Sequence, residues 1–182
     1  MAELRTERLL LRQWRDEDLD PWAELNADPE VMEHFPAPLT RAESDAMIDR
    51  IEARRTETGF GFWALEVTAT GEFIGFAGLS VPRFEAHFTP AVEIGWRLAR
   101  SAWGRGYATE AARRALRYAF DDLALDEVVS FTSARNLRSR AVMERIGMIR
   151  DESGDFDHPM VPEGHPLRRH VLYRISAPPR EV

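Results

Sequence analysis

Between Trp103 and Phe120, apolar residues Ala108, Ala111, Ala112, Ala115, Leu116, Ala119 and Phe120 recur at helical spacing. Arg113, Arg114 and Arg117 occupy the opposite side. This pattern predicts an amphipathic helix that starts near Tyr107 to Thr109. Other stretches alternate every two residues. In "AVEIGWRLA" (91–99), Val92, Ile94, Trp96 and Leu98 share one strand face, while Glu93, Gly95 and Arg97 share the other. Segments 60–67 and 72–81 are also short, aromatic and β-branched, with "TATGE" as the hairpin turn between them. Segments 8–14, 127–134 and 170–175 complete the expected strands.

Helix signals fill the intervals. Asp16 is placed to cap a helix whose first turn holds Pro21. Thr40 and Glu43 have capping-box spacing, ahead of Ala46, Met47 and Ile51 on one face. "NLRSRAVMERIG" predicts a helix closed by Gly147, and "HFPAPL" (34–39) a rigid loop. The order of elements predicts an α/β or α+β fold with mixed strand directions in one domain, 1–182, with 176–182 as a frayed tail.

Composition narrows the function classes. The chain has 182 residues, 24 Lys+Arg against 31 Asp+Glu, and a net charge of -7. An acidic surface argues against general nucleic-acid binding. There are no cysteines, which removes disulfides, thiolate metal sites and cysteine nucleophiles together. The first residues mix charges with apolar positions too often for a signal peptide, and no apolar run reaches membrane-spanning length. The expectation is a cytoplasmic protein without a membrane partner.

The predicted helix after "WGRG" raises the first chemical question. The first N–H groups of a helix have no internal acceptor, and the macrodipole makes that end partly positive. Gly104 and Gly106 allow an anion close to the backbone, and Arg105 adds charge. These parts suit a phosphate or pyrophosphate; a ligand-free strand-to-helix turn is the plain alternative. A P-loop would need Gly-Lys-Ser/Thr, and a dinucleotide fingerprint would need a small residue where Thr109 stands.

At this segment the chain resembles the GNAT N-acetyltransferase superfamily, whose coenzyme loop reads Arg/Gln-x-x-Gly-x-Gly/Ala. Gly106 and Ala108 match its small positions, and Trp103 stands where the general pattern has Arg or Gln. "WGRGYATEA" is similar to the RimJ/RimL-like branch, as are "TERLLLR", "NADPEVMEHF", "NLRSRAVMERIGM" and "HVLYRI". The resemblance covers nearly the whole chain. It implies a mostly antiparallel mixed sheet, splayed in the middle and flanked by helices. It also implies transfer of the acetyl group of acetyl-CoA to a primary amine, on a small molecule or a protein N-terminus.

The resemblance further implies site residues. Trp96, Arg97, Leu98, Trp103, Gly104, Arg105, Gly106, Tyr107, Ala108, Thr109, Asn136 and Ser139 become candidates for coenzyme contacts. A bulge in the 91–99 strand would open a gap for the pantetheine arm, with freed N–H groups near Gly95. Glu93 becomes the candidate base, against the alternative of a salt-bridged carboxylate on a polar sheet face. Ser139 is the candidate proton donor to the leaving thiolate, while Asn136 and Ser139 also read as a simple helix cap. Phe35 and Trp63 are candidates for the acceptor site. The segment 155–170 carries His158, His165 and His170 but lacks helical metal-ligand spacing, so no metal is expected. The resemblance leaves a homodimer open. A CoA-binding module without catalysis is the alternative from another functional class.

Overall fold

Residues Leu9–Arg12 are buried at every position, so the strand they form is covered on both faces. The computed structural model describes residues 2–179. Its strands are β1 (Leu4–Arg5), β2 (Leu9–Arg12), β3 (Phe62–Val67), β4 (Phe73–Ser80), β5 (Glu93–Leu98), β6 (Glu127–Ser133), β7 (Ile149–Asp157) and β8 (Arg169–Ser176). Its α-helices are α1 (Leu19–Ala27), α2 (Arg41–Thr58), α3 (Tyr107–Arg117) and α4 (Leu137–Arg145). The strands form one sheet in the order β1-β2-β3-β4-β5-β6-β8-β7. Neighbours run antiparallel except β5 and β6, which are parallel.

Alternation along the strands divides the core. Trp63, Leu65, Ile94 and Leu98 pack with Ala111, Ala112, Ala115 and Leu116 of α3. Alanines let the helix axis approach the sheet closely. On the opposite face Phe76 packs with Trp22, Leu25 and Ile48 of α1 and α2, and Phe62 and Phe73 join them. The α1–α2 layer is tied by the buried Trp22 indole, which donates to the Ser44 carbonyl at 3.1 Å.

Local signals account for most boundaries. Thr40 and Glu43 form the expected capping box, and Gly59 ends α2 in the left-handed conformation. The buried stripe of α2 is Ser44, Ile48 and Ile51, rotated slightly from the expected one. Before α1 a short 3-10 turn intervenes at Asp16–Asp18, with Arg15 rather than Asp16 at its N-cap. The cause is Asp18, whose carboxylate accepts from the Arg15 N–H and pairs twice with the buried Arg12.

Two expectations need correction. β5 pairs with β4 over six consecutive residues without a register shift, so β5 contains no bulge against that partner. The splay comes from divergence: β5 and β6 pair only at Glu93 and Val129. The tail is also more ordered than expected. Ser176 ends β8, and the Ala177 N–H donates to the Asp126 carbonyl at 2.8 Å. The remainder of the expected frayed tail, 180–182, lies outside the described residues.

Candidate active site

A gap opens where β5 and β6 part. Its vertex is pinned by the Val129 N–H on the Val92 carbonyl at 2.9 Å and by the Ser130 hydroxyl on the Ile94 carbonyl at 2.9 Å. Beyond the vertex the strands lead to the N-termini of α3 and α4, which flank the mouth. The Ala99 N–H bonds to the Ile74 carbonyl on β4. Antiparallel alternation therefore turns the backbone of Glu93, Gly95 and Arg97 toward β4 and that of Trp96 and Leu98 into the gap. The Leu98 carbonyl is taken by the Trp103 indole at 2.9 Å. The N–H groups of Trp96 and Leu98 are the donors directed at whatever lies between the strands.

The α3 end is built as an anion cradle. The helix starts with the Glu110 N–H on the Gly106 carbonyl at 3.0 Å, which leaves the N–H groups of Tyr107, Ala108 and Thr109 without helical acceptors. Gly104 and Gly106 have φ of +71° and +79°, where a side chain would be strained. A Cβ on Gly104 would meet nothing within 4 Å, so the space in front of this backbone is open. Arg105 is exposed there.

A device not visible in the sequence holds this loop. Arg8 donates to the Arg105 carbonyl at 2.9 Å and its Nε to Glu110 at 2.7 Å. The Thr6 hydroxyl also donates to Glu110 at 2.6 Å. Burial opposes ionisation of Glu110, but the hydrogen bonds from Thr6 and Arg8 outweigh it and hold the carboxyl below its usual range. Arg8 additionally lies 4.7 Å over the Tyr107 ring. Residues about a hundred positions apart thus brace the cradle, and no local spacing signals them.

At the vertex, Glu93 lines a cavity of about 340 Å³ beneath α2. The cavity wall includes Phe60, Phe62, Phe84 and Phe131. Glu93 keeps some surface toward this space but is crowded by protein, and burial pushes its carboxyl up to about 7. The Ser80 hydroxyl and the charge of Arg54 pull it back only in part. Gly95, next along the same face, leaves the Phe62 ring as the floor; a Cβ there would lie 3.5 Å from it.

Other candidates sit elsewhere. Trp63 is fully buried, faces α3, packs edge-on against Tyr118 at 5.3 Å and donates to the Ala2 carbonyl. It is therefore a core residue and not part of an acceptor wall; strand alternation gives that place to Phe62. Phe35 is 38% exposed but covers Arg97 at 4.1 Å rather than lining the cavity. The Arg97 side chain is buried on the α1–α2 side and bonds Asn26 at 2.6 Å, and its backbone faces β4, so it does not reach the gap. Burial without a carboxylate partner pushes that guanidinium down to about 10. Trp103 braces β5 with its indole and carries Arg138 at 4.4 Å over its ring.

Asn136 caps α4 as expected, accepting from the Ser139 N–H at 3.1 Å. Ser139 is partly exposed in the first turn of α4, at the mouth of the gap and not in the Glu93 cavity. The histidine segment has a structural use. His158 follows β7, packs at a tilt against His170 with ring centroids 4.8 Å apart, and lines the cavity. Burial and His170 push its imidazole down to about 4, so it is neutral at neutral pH. Among the described residues no cluster of three or more metal-ligating side chains occurs, and no helix is long and apolar enough to cross a membrane.

Comparison with known proteins decides the family. Residues 8–149 match the model of the acetyltransferase (GNAT) domain. The chain belongs to the GNAT acetyltransferase family. It is an acetyl-CoA-dependent N-acetyltransferase by that membership, and acetyl-CoA is its co-substrate. It is 38% identical over 189 residues to an FsC-acetyl coenzyme A-N(2)-transacetylase of Aspergillus fumigatus, across 96% of this chain and 80% of that protein. An acetyltransferase from Agrobacterium tumefaciens superposes with a TM-score of 0.78 at 32% identity, covering 96% of this chain and 94% of the other. The RimL ribosomal L7/L12 alpha-N-protein acetyltransferase in complex with coenzyme A shares the fold, with a TM-score of 0.76 at 15% identity over 97% and 98% of the two chains. The open cradle at Gly104–Thr109 and the unpaired edge of β5 fit the diphosphate and the pantetheine amides of this co-substrate.

Proposed function

We propose that this enzyme acetylates a primary amine by direct attack in a ternary complex, with the amine seated in the Glu93 cavity. The observation that carries the reading is the position of Glu93. It stands at the vertex of the β5–β6 gap, at the edge of an apolar cavity, with a carboxyl whose affinity for protons matches neutral pH. Acetyl-CoA supplies the activated acyl group. Glu93 takes a proton from the acceptor ammonium, which frees the nitrogen lone pair. The nitrogen then bonds to the acyl carbon as the carbon–sulfur bond breaks. The Trp96 and Leu98 N–H groups offer hydrogen bonds to groups in the gap, where charge on the acyl oxygen can be met. The Ser139 hydroxyl, at the mouth, is the proton donor to the departing thiolate, and it is reprotonated through solvent by the second proton that the acylated nitrogen sheds in becoming an amide. The lack of cysteine in the chain removes the most obvious nucleophile for an acyl-enzyme.

The small cavity favours a small amine over a protein N-terminus. Glu93→Gln is expected to lower kcat about 100-fold at pH 7 with coenzyme affinity within about twofold. The acid limb of the wild-type pH profile, with its midpoint near 7, disappears in the variant. Unchanged turnover would remove Glu93 from the mechanism, and ping-pong initial-rate patterns would remove direct attack.

A further inference from the structure

The charge inside the Glu93 cavity is opposite to that of the whole chain. The chain carries -7, yet the cavity is lined by Arg50, Arg54 and Arg83. Arg50 and Arg54 lie one turn apart on α2, and Arg83 comes from the β4–β5 connection. Among the described residues Glu93 is the single carboxylate in the lining, and it is only partly ionised at neutral pH. His158, the remaining titratable group of the wall, is neutral there.

These arginines are poorly compensated. Among the described residues the Arg54 guanidinium donates to the Val81 carbonyl. Burial and the neighbouring charge of Arg83 hold its guanidinium below the usual range, and Glu57 and Glu93 offset this only in part. Arg83 reaches Glu57 at 3.7 Å, with both side chains about two-thirds exposed, a geometry worth little. Arg50 makes no ion pair among the described residues. Two other arginines show what close compensation looks like in this fold: Arg12 bonds Asp18 and Glu66, and Arg174 bonds Asp151 and Glu127. Guanidinium groups gathered over an apolar cavity, close enough to repel, form a receptor for an anion with planar acceptor geometry.

We propose that Arg54 and Arg83, supported by Arg50, form an anion subsite, and that the acceptor is an amine bearing a carboxylate on an apolar or aromatic frame. This rests on the reading of the Glu93 cavity as the acceptor site. The acceptor's carboxylate lies between the guanidinium forks, its frame against Phe60, Phe62, Phe84 and Phe131, and its nitrogen toward Glu93. The same cations favour the neutral form of an amine in the cavity, the form that attacks the acyl carbon. The net negative charge of the chain would by itself favour cationic acceptors at long range; the cavity reverses that preference at contact.

The test uses the full chain in two assays. In the first, binding of phenylacetate, phenylacetamide and phenyl phosphate is measured by calorimetry with the wild type, Arg83→Gln and Arg54→Gln. Phenylacetate is expected to bind at least tenfold more tightly than phenylacetamide, and Arg83→Gln, an exposed change that leaves the core untouched, is expected to abolish the difference. Equal binding of the acid and the amide overturns the subsite, and tighter binding of phenyl phosphate overturns its assignment to a carboxylate. In the second, acetyl transfer is followed with paired amines in carboxylate and carboxamide forms, including phenylalanine and phenylalaninamide. A kcat/KM ratio of ten or more for the acid, collapsing toward one in Arg83→Gln, supports the proposal. Transfer without preference overturns the subsite while the acetylation reading stands. Acid-selective binding with no transfer to any amine leaves the subsite standing and removes the acetylation reading.

Discussion

At the mouth of the gap the enzyme presents backbone; at its vertex it presents side chains. The α3 end offers N–H groups of consecutive residues, held in place by Thr6, Arg8 and Glu110. The Glu93 cavity, the proposed acceptor site, is assembled from α2, the β4–β5 connection, β5, β6 and the residue that follows β7. A shared co-substrate can be bound by groups every chain possesses, and the site proposed for it here needs only glycines and a helix start. An acceptor must be distinguished from other amines, and only side chains differ enough to do that. The charges follow the same division. Glu110 at the mouth is saturated with donors and ionised, whereas Glu93 at the vertex is crowded, short of donors and half-protonated near pH 7.

Four changes would break or sharpen this contrast. The largest effect is expected from Gly106→Val, which forces a β-branched side chain into a positive-φ position of the cradle. Affinity for CoA should fall about 100-fold by calorimetry, and a fall of less than threefold would separate the cradle from the coenzyme. Next is the stability of Glu93→Gln. Folding raises the carboxyl from 4.5 to about 7, so the folded state binds that proton more tightly than the unfolded chain. Its stabilising contribution is complete below 4.5 and is lost as pH rises through about 7. The variant should therefore gain about 1–3 kcal/mol over wild type at pH 8 and almost nothing at pH 4, measured by urea unfolding.

Glu110 has the opposite sign. Its carboxyl is depressed, so its contribution is present above the ordinary carboxylate range and fades as pH falls through the folded value. Glu110→Gln should cost about 1 kcal/mol at pH 7, and the cost should shrink as the pH is lowered into the acid range. It should also weaken CoA binding several-fold by loosening Arg8, and a variant that loses stability without losing CoA affinity would make the brace irrelevant to the cradle. The smallest effect belongs to Trp63→Phe. Removing part of a fully buried indole and its bond to Ala2 should cost about 1–2 kcal/mol, with the acceptor KM unchanged. A shifted KM would return Trp63 to the acceptor wall.

Much of the fold was legible because its signals are local. The Thr40–Glu43 box, the alanine face of α3, Asn136 at the start of α4 and the alternation of 91–99 each depend on neighbours a few residues away. The strand 149–157 was less legible, since Asp and Glu interrupt "IRDESGDFD" and its pairing with β8 shifts register between Asp151 and Phe156. In the site, the same alternation that correctly grouped Glu93 with Gly95 and Arg97 did not reveal which helices cover that face. The resemblance implies Phe35 and Trp63 for the acceptor site, whereas the packing puts Phe62, the neighbour of Trp63, on the cavity wall. Arg50 and Arg54, one turn apart on α2, carried a signal of their own, but a charged pair on a helix reads equally well as a solvated surface.

By itself the sequence determined the cradle: glycines at 104 and 106 and a helix beginning at Tyr107 dictate unpaired, positively polarised N–H groups wherever that segment folds. Only the tertiary structure decided the cavity, because its charge comes from residues 50, 54, 83 and 93, on separate elements whose approach is set by packing. Backbone donors are a property of local conformation, and local conformation is written in consecutive residues. The proton affinity of Glu93 and the mutual repulsion of Arg54 and Arg83 are properties of distance and burial, which exist only after the sheet and helices have closed over them.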